Sequence, residues 1–169
     1  MAENDTPATG STAQAEQRPA FTLQKVYVKD ASFESPMSPN IFTRQVAPEI
    51  EIQLNVMHEP IAEDVYEVVL TITATARHEK DTVFLCEVQQ GGVFVIQGVG
   101  AAERELVLEV ACPNILLPFV REAVAGMVAK GGFPQLLINP VNFEAVYHQK
   151  RQGGQTTTAA TAEQAPPQA

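Results

Sequence analysis

The sequence predicts an α+β domain, with a four-stranded antiparallel sheet drawn from the first two-thirds of the chain and helices from the last third. Two observations carry that prediction. Between Phe21 and Gln90, apolar and polar residues alternate in several short runs, the period of a strand with one face buried. From Asn114 onward the spacing changes to that of a helix, with three or four apolar positions per two turns.

The elements follow in order. Phe21 to Val28 alternates, slips phase at Gln24–Lys25 and alternates again, which predicts a bulge in the first strand. Pro36, Pro39 and Pro48 mark a long irregular crossing segment. Ile50 to Val56 alternates without error, with Ile50, Ile52, Leu54 and Val56 on one face and Glu51, Gln53 and Asn55 on the other. Tyr66 to Ala76 is rich in Thr and β-branched residues, a third strand. Val83 to Gln90 is a fourth, ending at Gly91–Gly92. There Phe84, Cys86 and Val88 face one way, and Val83, Leu85 and Glu87 the other.

Asn114 to Lys130 predicts a helix starting near Pro113 or Asn114, with Pro118 in its first turn and Gly131 as its stop. Phe119, Val120, Ala123, Val124, Met127 and Val128 cover much of its circumference. A helix apolar on so many sides is covered on both, which predicts self-association through it. A second helix begins at Asn139 or Asn142 and carries Phe143, Val146 and Tyr147. The expected domain is residues 19–152, between disordered tails at 1–18 and 153–169. The latter has no large apolar side chain with which to offset the entropy of ordering.

The formal net charge of the 169 residues is −9. Asp30 to Glu67 contains eight carboxylates and one Arg or Lys, Arg44. Such a surface repels phosphate backbones, which disfavours nucleic acid as a partner. It suits either plain solubility or a basic protein partner. The N-terminal stretch lacks the basic and apolar regions of a secretory signal, and no apolar run reaches the roughly 18 residues of a membrane span. A cytoplasmic protein without membrane insertion is expected. Cys86 and Cys112 are too few and too far apart for a disulfide framework or a zinc site.

Catalytic patterns are missing. His58, His78 and His148 form no HExxH, there is no phosphate-binding glycine loop, and no Ser stands in GxSxG. Neither a catalytic residue nor a metal or other cofactor is expected. Local sequence leaves open a site assembled from distant residues.

Five stretches resemble the SecB protein-export chaperone family. They are Lys29 to Glu34, Asp64 to Leu70, Phe84 to Gly92, Cys112 to Pro118, and Phe133 to Phe143, in family order over nearly all of the predicted domain. The resemblance implies a helix packed on one sheet face, a C-terminal helix, and a tetramer built as a dimer of dimers. It implies a holdase that binds unfolded, signal-peptide-bearing preproteins without ATP hydrolysis and delivers them to the SecA ATPase. It assigns SecA binding to Asp30, Glu34, Leu85 and Glu87, and a client groove to Phe42, Ile50, Ile52, Leu54 and Phe143. Cys86, Val88 and Gln90 match oligomer-interface positions. Without the resemblance, the carboxylates read as solvated, and Leu85, Ile50, Ile52 and Leu54 as core.

Two features depart from the family. No Trp precedes Pro48–Glu49, and the tail carries a single acid, Glu163. Two other functions fit the pattern: a SecB-like chaperone dedicated to a toxin–antitoxin pair, and an oligomeric enzyme acting on small molecules.

Overall fold

The computed structural model describes residues 19–153 and the backbone of residues 162–164. The N-terminal tail expected at 1–18, and most of the C-terminal one, lie outside the described residues.

Four strands form one antiparallel sheet: β1 (Ala20–Glu34), β2 (Glu49–Ala62), β3 (Val65–His78) and β4 (Asp81–Gln97), in the order β1-β4-β3-β2. The expected bulge is present, as a register shift between Leu23 and Lys25, and a second falls between Val28 and Asp30. β1 and β2 are the two edge strands, and the chain passes from one edge to the other through a short 3-10 turn, Asn40–Thr43, that buries Ile41. Pro60 lies in β2, an edge strand, where a missing N–H can face solvent.

The strands are longer than expected. β4 continues through Gly91–Gly92 in unbroken register with β3, so these glycines make neither turn nor bulge. Their role is close packing. A Cβ on Gly91 would lie 2.5 Å from the Tyr27 ring, and one on Gly92 would lie 2.6 Å from Phe94 and 2.8 Å from Leu116. The turn is at Gly98, where φ is +68°.

The helix is also longer than expected. It starts with α1 (Ala101–Leu106), passes through a wide π turn at Val107–Ala111, and continues as α2 (Cys112–Lys130). At the end of the wide turn the Cys112 N–H donates to the Val107 carbonyl, five residues back. Pro113, which has no N–H to continue the ladder, follows at once. Pro118 therefore stands inside the helix rather than in its first turn.

One sheet face is the core. Leu70, Ile72, Ala74, Phe84, Cys86 and Val88 on β3 and β4 are fully buried with Leu116, Val120, Val124 and Val128 of α2. Each such Leu, Ile or Phe contributes about 1.5–3 kcal/mol relative to exposure. α2 packs mainly on β4 and β3. After it come a short strand β5 (Leu136–Ile138) and α3 (Phe143–Arg151). Asn142 caps α3, its Oδ1 accepting from the Ala145 N–H at 3.1 Å. A last strand, β6 (Ala162–Gln164), pairs antiparallel with β5, inside the stretch where no order is expected from the sequence.

Candidate functional site

Among the described residues the second sheet face carries no helix, and its chemistry follows from the strand period. On β3 the core positions are Val68, Leu70, Ile72, Ala74 and Ala76, and the alternate positions are Glu67, Val69, Thr71, Thr73 and Thr75. The register then sets out transverse rows across β2, β3, β4 and β1. They are Glu51–Thr75–Leu85–Glu34, Gln53–Thr73–Glu87–Ser32, Asn55–Thr71–Gln89–Asp30 and Met57–Val69–Gly91–Tyr27.

Asp30, Glu34, Leu85 and Glu87 thus occupy three neighbouring rows of this open face. Asp30 and Glu34 are exposed, and Leu85 and Glu87 are half-buried. Thr73 Oγ1 donates to Glu87 Oε2 at 2.8 Å, which fixes that carboxylate's direction. With Glu51 beside them, the group is an acidic, weakly apolar surface with no Lys or Arg in those rows.

The row beyond these, Glu59–Glu67–Val93–Lys25, is different. Glu67 is only 8% exposed. It accepts from the Tyr27 hydroxyl and from Lys29 Nζ at 2.6 Å. The Lys29 ammonium and the Tyr27 hydroxyl hold its carboxyl below the usual carboxylate range. Burial, with Glu67 beside it, pushes the Tyr27 hydroxyl up to about 12. Next to this triad a cavity of about 400 Å³ is lined by Lys29, Asn55, Met57, Glu59, Glu67 and Val69. Sequence reasoning did not find the triad, because Tyr27 and Lys29 lie 40 and 38 residues from Glu67 along the chain. The one local signal was an acid, Glu67, at the head of a Thr-rich strand face.

The expected client groove divides. Phe42 is 51% exposed, and Ile50 is half-buried. Ile52, Leu54 and Phe143 are buried in the core of the single chain, at 0%, 5% and 1% exposure. Phe42 belongs to an aromatic group missed in the sequence. Phe133 lies 5.3 Å from Phe42 and 5.0 Å from Phe84, and Phe33 lies 5.8 Å from Phe84. Phe33 and Phe133 stand in the quoted stretches, so the signal was present but unused. Phe143 also lines a hollow of about 400 Å³ with Val110, Asn114 and Val141.

Cys86 and Val88 are 0% exposed, and Gln90 is 3% exposed. They sit inside the single chain on the helix-covered face, so another copy cannot touch Cys86 or Val88 directly. Both cysteines are free. Burial pushes the Cys86 thiol up to about 11 and that of Cys112 up to about 12, which leaves them protonated and unreactive.

His58 is in β2, and its Nε2 lies 3.3 Å from Glu109 Oε1. Lys150 of α3 donates to the same oxygen at 2.8 Å. Burial favours the neutral Glu109 carboxyl, but the bonds to His58 and Lys150 outweigh it and hold that carboxyl low. The π turn places Glu109 where it ties α3 to the sheet edge. Among the described residues, no group of three or more His, Cys, Asp or Glu could hold a metal ion. No described helix is long and apolar enough to cross a membrane.

Among the described residues, the sheet is thus covered by a helix on one side and open on the other, with an acidic strip and an exposed aromatic. The chain belongs to the SecB family: the family model described as preprotein translocase subunit SecB matches residues 14–154. A protein-export protein SecB from Halorhodospira halophila is 46% identical, covering 96% of this chain and 94% of its own length. One from Nitrosospira multiformis is 52% identical, covering 85% of this chain and 91% of its own. Among solved structures, a SecB-like chaperone of Mycobacterium tuberculosis, in complex with an antitoxin peptide, covers 72% of this chain and 91% of its own. Its TM-score is 0.60 at 9% identity, a likeness of fold.

Proposed function

We propose that this protein is an ATP-independent holdase that binds unfolded preproteins in the cytoplasm and delivers them to SecA for export. Membership of a protein-export chaperone family supports the holding role. The observation that carries the delivery step is the gathering of Asp30, Glu34, Leu85 and Glu87 on the open sheet face, where no described helix covers them. An acidic strip with one leucine suits a basic, partly apolar segment of a partner. Charge complementarity there governs the rate and specificity of docking more than its raw affinity. The two unpaired thiols suit a reducing compartment.

Holding needs no chemistry. A ligand that binds unfolded chain and not native chain shifts folding by mass action. At about 25 cal/mol per Å² of apolar surface, one short segment binds weakly. A long client that crosses several grooves of an oligomer gains by effective concentration. The groove in this reading runs from Phe42 and Ile50 toward Ile52, Leu54 and Phe143, and the last three become available only if α3 and β5 shift. The proposed assembly is a homotetramer, a dimer of dimers joined through the long helix. Its supports are the outward Leu106 and Phe119, 44% and 46% exposed. Cys86, Val88 and Gln90 then act on assembly from beneath, by setting the seat of α2.

Two charge reversals test the delivery surface. Asp30→Lys and Glu87→Lys each weaken SecA binding, by about tenfold at low salt, while unfolded clients are still held. Unchanged SecA affinity in both variants would remove the assignment.

A further inference from the structure

We propose that the edge of β5 to which β6 pairs binds extended polypeptide through its main chain, and that tail residues Ala162–Gln164 occupy that edge as a built-in competitor. The proposal rests on the holding function above and names how part of the binding is made.

β5 stands apart from the four-stranded sheet. Leu136 and Ile138 are buried at 0% and 1%, whereas Leu137 is 47% exposed. A strand anchored in this way presents an edge of N–H and C=O groups that require partners. β6 supplies them, with Leu136 opposite Gln164, Leu137 opposite Glu163 and Ile138 opposite Ala162. Its sequence, Ala-Glu-Gln, contains no large apolar residue. The pairing is therefore a property of the backbone, and any chain in an extended state can supply it. Unfolded clients share no sequence but share that backbone. Strand addition at an edge, with a side chain such as Leu137 beside it, is a general route to peptide binding.

The position also fits. β5 packs on α2, and β6 comes beside β2, the strand of Ile50, Ile52 and Leu54. A client segment at β5 thus continues toward the proposed groove.

Only residues 152–161 separate α3 from β6 along the chain. Short tethers give effective concentrations on the order of millimolar. Such a competitor displaces a single weak segment but loses to a long client held at several points. The tail sets a threshold that favours long unfolded chains over short exposed segments of folded proteins.

The test compares the full chain, a deletion of Gly154–Ala169, and Glu163→Pro in the full chain, which removes a backbone N–H from the middle of β6. The probe is a fluorescein-labelled peptide of alternating Val and Thr with terminal lysines. A second probe is the same peptide N-methylated on every second amide, made in both frames. Both variants are expected to bind the parent peptide at least about threefold more tightly than the full chain. At least one methylated frame loses about tenfold. Equal peptide affinity in all three proteins, no peptide binding, or full binding of both methylated frames would overturn the proposal. A long, reduced and alkylated polypeptide is measured alongside. If all three proteins hold it while the peptide ignores the tail, this proposal falls and the holding function stands. If none holds it, both fall.

Discussion

Glu67 shows how one side chain can organise the exposed face of a sheet. It is a carboxylate removed from water at a central strand, kept charged by Lys29 and Tyr27. Removing one member of such a group leaves the others unpaired, at a cost of about 1–3 kcal/mol. Its folded pKa is depressed, so the folded state binds fewer protons than the unfolded state through the carboxylate range. Its contribution is full above the unfolded value, about 4.3, and is lost as pH falls through the lower folded value. Glu67→Gln is therefore expected to lower the urea midpoint at pH 7, with the gap to wild type narrowing below about pH 4. An equal gap at both pH values would show that the charge is immaterial. At this scale the sequence was partly legible. Leu85 and Glu87 share a face by period alone, and their register with Asp30 and Glu34 then follows from pairing that no local pattern encodes. The triad was illegible because only tertiary structure brings residues 27, 29 and 67 together.

At the scale of elements, glycine and proline misled for physical reasons. Gly91–Gly92 has the composition of a turn, yet both residues are in mid-strand because Tyr27, Phe94 and Leu116 take the space of their Cβ atoms. Gly92→Ala pushes methyl bulk between β4 and α2, and such overpacking costs about 1–3 kcal/mol. The expected result is a lower denaturation midpoint with an unchanged fold. A variant as stable as wild type would mean that Phe94 and Leu116 move aside freely. Pro113 and Pro118 have the composition of a helix start, yet the helix begins at Ala101, because the wide turn at Val107–Ala111 carries it past the first proline. The period-two strands, the Gln24 bulge and the Asn142 start of α3 were legible, because each is set by neighbours in the chain.

At the scale of the molecule, burial separates what one chain completes from what it leaves for others. The helix-covered face is closed, with Ile52, Cys86, Val88 and Phe143 sealed inside it. The open face, Phe42 and the outer side of α2 remain. Composition alone could not divide these sets, since alternating strands supply core and surface residues from the same stretches. That division frames the proposed work: one face for a delivery partner, one edge region for clients, one helix for assembly. The account stands or falls on whether the protein discriminates by folding state. The direct measurement presents one preprotein to the intact protein twice without nucleotide, once unfolded and once natively folded, and compares the affinities. The account predicts binding of the unfolded form at least about a hundredfold tighter than that of the folded form. Equal binding of both forms, or none of the unfolded form, would contradict it.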